Sequence, residues 1–413
     1  MHVLAALLIF GAAIASLPDG ARAEVTIGQG THEGADFIIG MPARARWNGD
    51  LVMFAHGYEG EGPGRGTVRM PPLSAQLTKR GYAWAASGYR SKGYHPDRFM
   101  ADTLALRERF IKELGRPKRT IIYGQAMGGH VAVASLELHP GVYQGGFIEC
   151  GVVDGVGLVD WRYAYAAAAE YLSGVRLFDA PDRRAFDALV SGPWIAAMGT
   201  PGGYTERGRR FDSVVKHLMG GELPLRLDGL KVRYSTNLDP RDPGPQHEQE
   251  LARHASTTQV RYRIDAGLGV DEETLNREIR RVTPAPGARS GAGNPVFAEL
   301  TGKIRVPLMT IHETADLRVP FRLEQEYRRR AITAGTSHLL VQRAVRGPGH
   351  CAFDTAVRVR AFDDLADWIE HGKVPAGDDV LAPDVSKLGL RWTPALHPND
   401  PARRFTVPLP MPR

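Results

Sequence analysis

Four short segments carry residue types that could do acyl-transfer chemistry. The first is Gly124-Gln125-Ala126-Met127-Gly128, which follows the apolar run Thr120-Ile121-Ile122-Tyr123 and precedes the small-residue stretch 129–136. Strand, sharp turn and helix form the setting in which a G-x-S-x-G turn presents a nucleophile at its apex. Glycines let such a turn close without side-chain clashes. The apex residue here is Ala126, which has no hydroxyl. The second segment is His56-Gly57-Tyr58, directly after the apolar run 51–55. The third is Asp316 within 314–320, and the fourth is His350 within 347–351. All four fall beyond the C-terminal ends of expected strands, where a parallel sheet places its chemistry. Their chain order is nucleophile position, acid, histidine.

A serine at 126 would attack an acyl carbon. His350 would take its proton and pass it to the leaving group, and Asp316 would fix the imidazole tautomer. The backbone amide of Met127, at a helix N-terminus, and that of Tyr58, reached through Gly57, would receive the developing oxyanion. A lone Asp in a loop is usually a turn residue or cap, so the inference rests on order and strand-end placement agreeing. Asp154 is a second candidate acid, although Gly151 and Gly155 give it the surroundings of an ordinary loop. His56 and His130 read as structural, one orienting the oxyanion loop and the other capping or packing the elbow helix.

The elements that must position these residues follow from the apolar pattern. Strands are expected over 36–42, 51–55, 82–87, 120–123, 146–153, 306–312 and 339–344. Helices are expected over 73–79, 98–114, from 129 onward, 324–334 and 356–371. Alternation of this kind implies right-handed βαβ crossovers and a mostly parallel central sheet with helices on both faces, an α/β fold. The rhythm stops between 155 and 302, where helices are expected over 161–172, 209–219 and 272–281, and then resumes. This pattern gives a core in two parts, 24–154 and 303–372, interrupted by a mainly helical lid insertion over 155–302. A Pro-rich tail, 373–413, follows. In the lid, Trp161 and Tyr165 are four apart and share a helix face. They either pack the lid's own core or line a substrate pocket for an aromatic or bulky apolar ester.

Composition narrows the function. The 413 residues carry a net charge of +6, mild for this length. There is no basic block with interleaved aromatics, so nucleic acid is not an expected partner. The 14 histidines are scattered, with no H-E-x-x-H and no paired-cysteine spacing. No metal and no cofactor are expected. The apolar run 3–16 ends near Ala21-Arg22-Ala23, which reads as a signal peptide over 1–23 and a secreted or periplasmic protein. The run is shorter than the ~20 residues of a membrane span. An oxidising compartment permits a disulfide between Cys150 and Cys351. Two separate buried thiols are the alternative.

The segments Trp47-Asn48-Gly49, His56-Gly57-Tyr58, Ser87-Gly88-Tyr89-Arg90, the elbow at 123–129, Thr314-Ala315-Asp316 and Gly349-His350-Cys351 together resemble the α/β-hydrolase superfamily. They look most like its secreted bacterial serine esterases with a helical lid. The resemblance covers about 36–153 and 303–372. It implies an α/β-hydrolase fold, a Ser-Asp-His triad, an acyl-enzyme and a small-molecule carboxylic ester as substrate. A cysteine directly after the histidine is also similar to the tannase and feruloyl esterase group, where it pairs with a cysteine beside the nucleophile. Here residue 125 is Gln, and Cys150 is the one other cysteine. The family's nucleophile position wants Ser where this chain has Ala126. An inactivated Ser→Ala form is the favoured explanation, because Asp316, His350 and the oxyanion elements are all present. The alternatives are a natural, non-catalytic ligand-binding protein, and a peptidase or amidase on the same scaffold.

Overall fold

The computed structural model describes residues 25–236, 238, 253–289 and 299–393. The expected signal peptide and the last twenty residues of the tail lie outside them. Eight strands form one sheet: β1 (Val25–His32), β2 (Ala35–Pro42), β3 (Asp50–Ala55), β4 (Ala83–Ser87), β5 (Arg119–Gln125), β6 (Gly145–Glu149), β9 (Leu308–Glu313) and β10 (Leu340–Val345). Their spatial order is β1-β2-β4-β3-β5-β6-β9-β10. The β1–β2 and β2–β4 pairings are antiparallel, and the other five pairings are parallel.

Strands buried on both faces read as continuous apolar runs, and β3 shows why. Leu51, Met53 and Ala55 enter one core while Val52 and Phe54 enter the other. Helices α2 (Pro96–Leu114) and α3 (Met127–Leu138) pack on the first face. Helix α1 (Ser74–Lys79) lies on the second face. The stretch between β6 and β9 holds α4 (Gly155–Ser173), α5 (Arg183–Leu189), α6 (Ile195–Met198), α7 (Glu206–Met219), α8 (Arg226–Arg233) and α9 (Glu272–Glu278). It also holds a short ribbon of β7 (Gly199–Thr200) and β8 (Gly203–Tyr204). Helix α10 (Arg322–Thr333) then joins the first face and α11 (Thr355–His371) the second.

Some boundaries differ from expectation for identifiable reasons. The strand expected over 146–153 stops at Glu149, because Cys150 takes φ 47° and turns the chain toward the elbow. Helix α2 begins at Pro96, a residue suited to the first helical position. Helix α4 begins six residues before the expected 161, at a cap made by the Asp154 carboxylate accepting from the Gly157 amide. Its buried alanines, Ala164 and Ala166–Ala169, let α7 approach closely.

The elbow is set by backbone packing. A Cβ on Gly128 would sit 1.9 Å from the Ala55 carbonyl oxygen, so α3 can reach β3 there with no side chain between them. Gly128→Ala is therefore expected to destabilise the protein by at least about 2 kcal/mol, through overpacking against backbone that cannot give way. Gly28→Ala is the control, because nothing lies within 4 Å of a Cβ at that position. Chemical denaturation of both variants checks this.

Candidate active site

β5 ends at Gln125 and α3 begins at Met127, leaving Ala126 at the apex with φ 52° and ψ −119°. A non-glycine residue at positive φ is strained and persists when its surroundings over-determine it. Here the Ala126 amide donates to the Glu149 carbonyl at 3.2 Å. The Ala126 carbonyl accepts from the amides of Gly129 and Val152, each at 2.9 Å. The 56–58 loop lies alongside, since a Cβ on Gly57 would be 3.1 Å from that of Ala126. Met127 opens α3, and the first amides of a helix have no intrahelical acceptor. The side chain of Tyr58 donates its hydroxyl to Glu61 at 2.7 Å.

His56 is buried and shapes that loop. Its Nδ1 meets the Gly57 carbonyl at 2.8 Å, and its ring stacks on Tyr89 with centroids 4.2 Å apart. Burial pushes its pKa down, and the Gly57 carbonyl, which can only accept, places the ring proton on Nδ1. His130 is buried on α3 with Nδ1 2.9 Å from the Tyr94 hydroxyl, so it packs the elbow helix. Asp154 caps α4 and pairs with Arg330 at 3.0 Å, which leaves it no catalytic part.

Asp316 and His350 meet. Nδ1 of His350 lies 2.6 Å from Oδ2 of Asp316. Oδ1 of Asp316 accepts from the amides of Arg318 at 2.7 Å and Val319 at 3.1 Å. Asp316 is 1% exposed and the His350 side chain 17%, so the acid is sealed while the imidazole reaches the surface. Burial alone would raise the Asp316 pKa, but His350, His312 and the Val319 amide together hold it below the ordinary value. With Nδ1 committed to the carboxylate, Nε2 is the nitrogen available to a substrate.

Three further residues were invisible to the sequence argument. His312 lies in β9, its Nε2 donating to the Val319 carbonyl at 2.8 Å and standing 3.8 Å from Asp316 Oδ2. Its Nδ1 faces Glu324 at 3.5 Å. The other Glu324 oxygen accepts from Thr310 and Gln342, each at 2.6 Å. Burial opposes a charge on His312, but the two carboxylates prevail and push its pKa up to about 9. Glu313 is also sealed, and burial followed by the Asp316 charge pushes its pKa up to about 8. A histidine four residues before the acid, inside an apolar strand, is the one signal that could have flagged this layer.

Cys150 and Cys351 form a disulfide with Cα atoms 5.2 Å apart. This ties the end of β6 to the residue after His350. Gln125, beside the apex, donates its amide to the buried Glu149 carboxylate at 2.7 Å. Arg358 donates to the other Glu149 oxygen at 2.6 Å and to the Cys351 carbonyl at 2.8 Å. A His350 nitrogen and both sulfurs lie within 4.8 Å of one another, but sulfurs joined in a disulfide offer no thiolate to a metal.

Trp161 and Tyr165 share the anticipated helix face, with rings 5.5 Å apart, but that face is core. Tyr165 is fully buried, donates its hydroxyl to the Tyr234 carbonyl at 2.9 Å and packs edge-on against Phe211. Trp161 is 4% exposed. The pocket role expected of them is therefore corrected. Spacing on a helix defines a shared face, and here α7 covers it.

The strand order, elbow and acid–histidine pair are those of the α/β-hydrolase fold. Neither a protein-family model nor a curated protein sequence matches the chain. Solved structures do. Feruloyl esterase B from Aspergillus oryzae is 11% identical over 84% of this chain and 80% of its own, with a TM-score of 0.48. An esterase from Aspergillus oryzae is 12% identical over 85% and 80%, with a TM-score of 0.48. An acylaminoacyl peptidase from Pyrococcus horikoshii is 15% identical over 86% of this chain, with a TM-score of 0.42. The chain spans 43% of that peptidase's length.

Two predictions follow from the buried charges. Arg358→Met leaves the Glu149 carboxylate buried without its cation and is expected to cost about 3–5 kcal/mol in denaturant unfolding. Arg80→Met, which removes a half-exposed pair with Asp363, is expected to cost at most about 1 kcal/mol. For His312, an unfolded imidazole titrates at 6.5 and the folded one at about 9. Its contribution to stability is complete below the lower value and is lost as pH rises through the upper one. Unfolding measured from pH ~6 to ~10 should show the gap between parent and His312→Gln narrowing across that window. A gap independent of pH would refute the buried imidazolium.

Proposed function

We propose that this α/β-hydrolase-fold chain is built to hydrolyse carboxylic esters of small molecules, and that Ala126 stands in the place of a serine nucleophile. The observation that carries the reading is the sealed Asp316–His350 pair, 2.6 Å apart. It serves a strained elbow whose carbonyl is held by the same 150–153 loop that the disulfide joins to the residue after His350.

A serine oxygen at 126 attacks the acyl carbon while Nε2 of His350 removes its proton. Asp316 stabilises the resulting imidazolium and holds its tautomer. The amides of Met127 and Tyr58 receive the negative oxygen, and His56 keeps the second of these in place. His350 then returns its proton to the departing alcohol, and a water molecule repeats the sequence to release the acid. The aromatic-ester preference expected from Trp161 and Tyr165 loses its residues, because both are core. The substrate class is therefore carboxylic esters without that restriction. The apolar amino-terminal run and the disulfide support export to an oxidising compartment.

Ala126 itself favours a second reading, in which the chain binds an ester-like ligand without cleaving it. The Ala126→Ser protein, assayed on a broad panel of acyl and aryl esters with matched amides, separates the two. The hydrolase reading expects ester turnover at least roughly 10³-fold above the Ala126 form, lost again when His350→Ala is added. Turnover of amides alone would move the chain to the peptidases. A folded Ala126→Ser protein that cleaves neither would leave the binding reading standing.

A further inference from the structure

A second cluster of charge lies away from the elbow, where β10, α11 and the segment after Gly389 meet. Three guanidiniums gather round one indole there. Arg343 from β10 lies 3.8 Å from the Trp392 ring centroid, Arg391 4.7 Å and Arg360 from α11 5.1 Å. They line the mouth of a cavity of about 180 Å³ whose other walls are mostly apolar, from Ile311, Val345, Ala356, Val357 and Ala361, with Thr393 beside them.

The charges in this cluster do not balance. The Arg343 side chain is 3% exposed and gives Nη2 to Asp364 at 2.6 Å and Nε to the Ala376 carbonyl at 2.9 Å. Arg360 and Arg391 are exposed and form no ion pair or hydrogen bond with any described residue. The other carboxyl near the cluster, Asp378, accepts from the Ala344 amide at 2.7 Å. The charges of Arg360 and Arg391 are therefore not neutralised by an ion pair with any described residue. The repulsion registers on Arg343: burial lowers its pKa first, Asp364 works against that, and Arg360 and Arg391 lower it further. Gathering like charges in this way is unfavourable unless something negative joins them.

We propose that this cavity binds a small tetrahedral oxyanion of the phosphate class. A guanidinium stacked on an aromatic face uses that face and keeps its in-plane N–H donors free. Those edges suit the oxygens of a phosphate, which arginine binds in a forked geometry. The first turn of α11, capped by Asp354, borders the cavity through Ala356 and Val357 and adds no free donor to it. The volume selects for size. It holds a phosphate and a few waters, at ~30 Å³ per water, and falls short of the roughly 300–1,000 Å³ of sites for drug-sized ligands. The site is independent of ester hydrolysis and needs no residue at 126. α11 also carries Arg358, whose contacts steady the His350 loop, so occupancy is expected to appear as added thermal stability.

The test is calorimetric titration of the full chain with inorganic phosphate at constant ionic strength, with thermal unfolding in parallel. Saturable binding with a Kd below ~1 mM is expected, with sulfate competing. Arg360→Gln and Arg391→Gln should each weaken binding at least roughly tenfold and abolish the thermal shift. Arg116→Gln, an exposed residue ahead of β5, should change neither. Circular dichroism confirms that the variants are folded. No saturable binding up to ~20 mM phosphate, or unchanged binding in both cavity variants, overturns the site. Equal weakening by Arg116→Gln overturns it in favour of diffuse attraction to a basic surface. Acetate binding as tightly as phosphate overturns the phosphate class.

Discussion

The candidate active-site region is held together around the Glu149 carboxylate, which is fully buried. One oxygen accepts from the Tyr123 hydroxyl and the Gln125 amide, the other from Arg358. Its own backbone carbonyl receives the Ala126 amide. A single residue thus touches the elbow strand, the neighbouring strand and the start of α11. Buried ion pairs add little net stability, because desolvation offsets their attraction. Burial does push the Glu149 pKa upward, with Arg358 opposing it. The pair's effect is positional: it places the elbow relative to the chain that follows His350. The adjacent disulfide closes the same circuit between residues 201 apart, worth about 5 kcal/mol if it acts by restricting the unfolded chain.

A second buried layer does for the acid what the first does for the elbow. A sealed carboxylate is costly to ionise unless charge of the opposite sign stands beside it. Asp316 has His350 on its outer side and His312 on its inner side, and His312 is backed by Glu324. The His312 imidazolium thus stands between Asp316 and Glu324, while His350 offers Asp316 its Nδ1–H from the outer side. Glu313, next to this chain of charges, is pushed up toward its neutral form and accepts the Ala352 amide just after His350. A neutral carboxyl there adds no second negative charge beside Asp316.

What the sequence revealed of this architecture depends on how local each signal is. β3, β5 and β9 are buried on both faces and announce themselves as apolar runs. β1 does not, because Val25–His32 is an edge strand of glycine, threonine and glutamine with one neighbour. Asp316 and His350 were legible because each follows a recognisable strand in a fixed order. His312 was not, since its meaning comes from Glu324 on the next helix and from Asp316 one turn beyond the strand. Arg358 and Glu149 are 209 residues apart, and no local pattern connects them. Trp161 and Tyr165 show the opposite failure. Helical spacing placed them on one face correctly, but which element covers that face is decided by the alanines of α4 and the approach of α7.

Ala126 remains the point where chemistry and fold part company. Its dihedral angles cost an alanine about 1–3 kcal/mol, and a glycine would adopt them freely. The turn does not draw its shape from the residue 126 side chain. Backbone bonds to Glu149, Gly129 and Val152, and the close fit of Gly128 under Ala55, impose it. With alanine at this position, the elbow, the 56–58 loop and the acid–histidine pair are all assembled. Stability alone would favour glycine at the apex. Alanine keeps the Cβ and its direction while leaving the backbone strained. It stands at a turn that the surrounding backbone, and not its own side chain, holds in place.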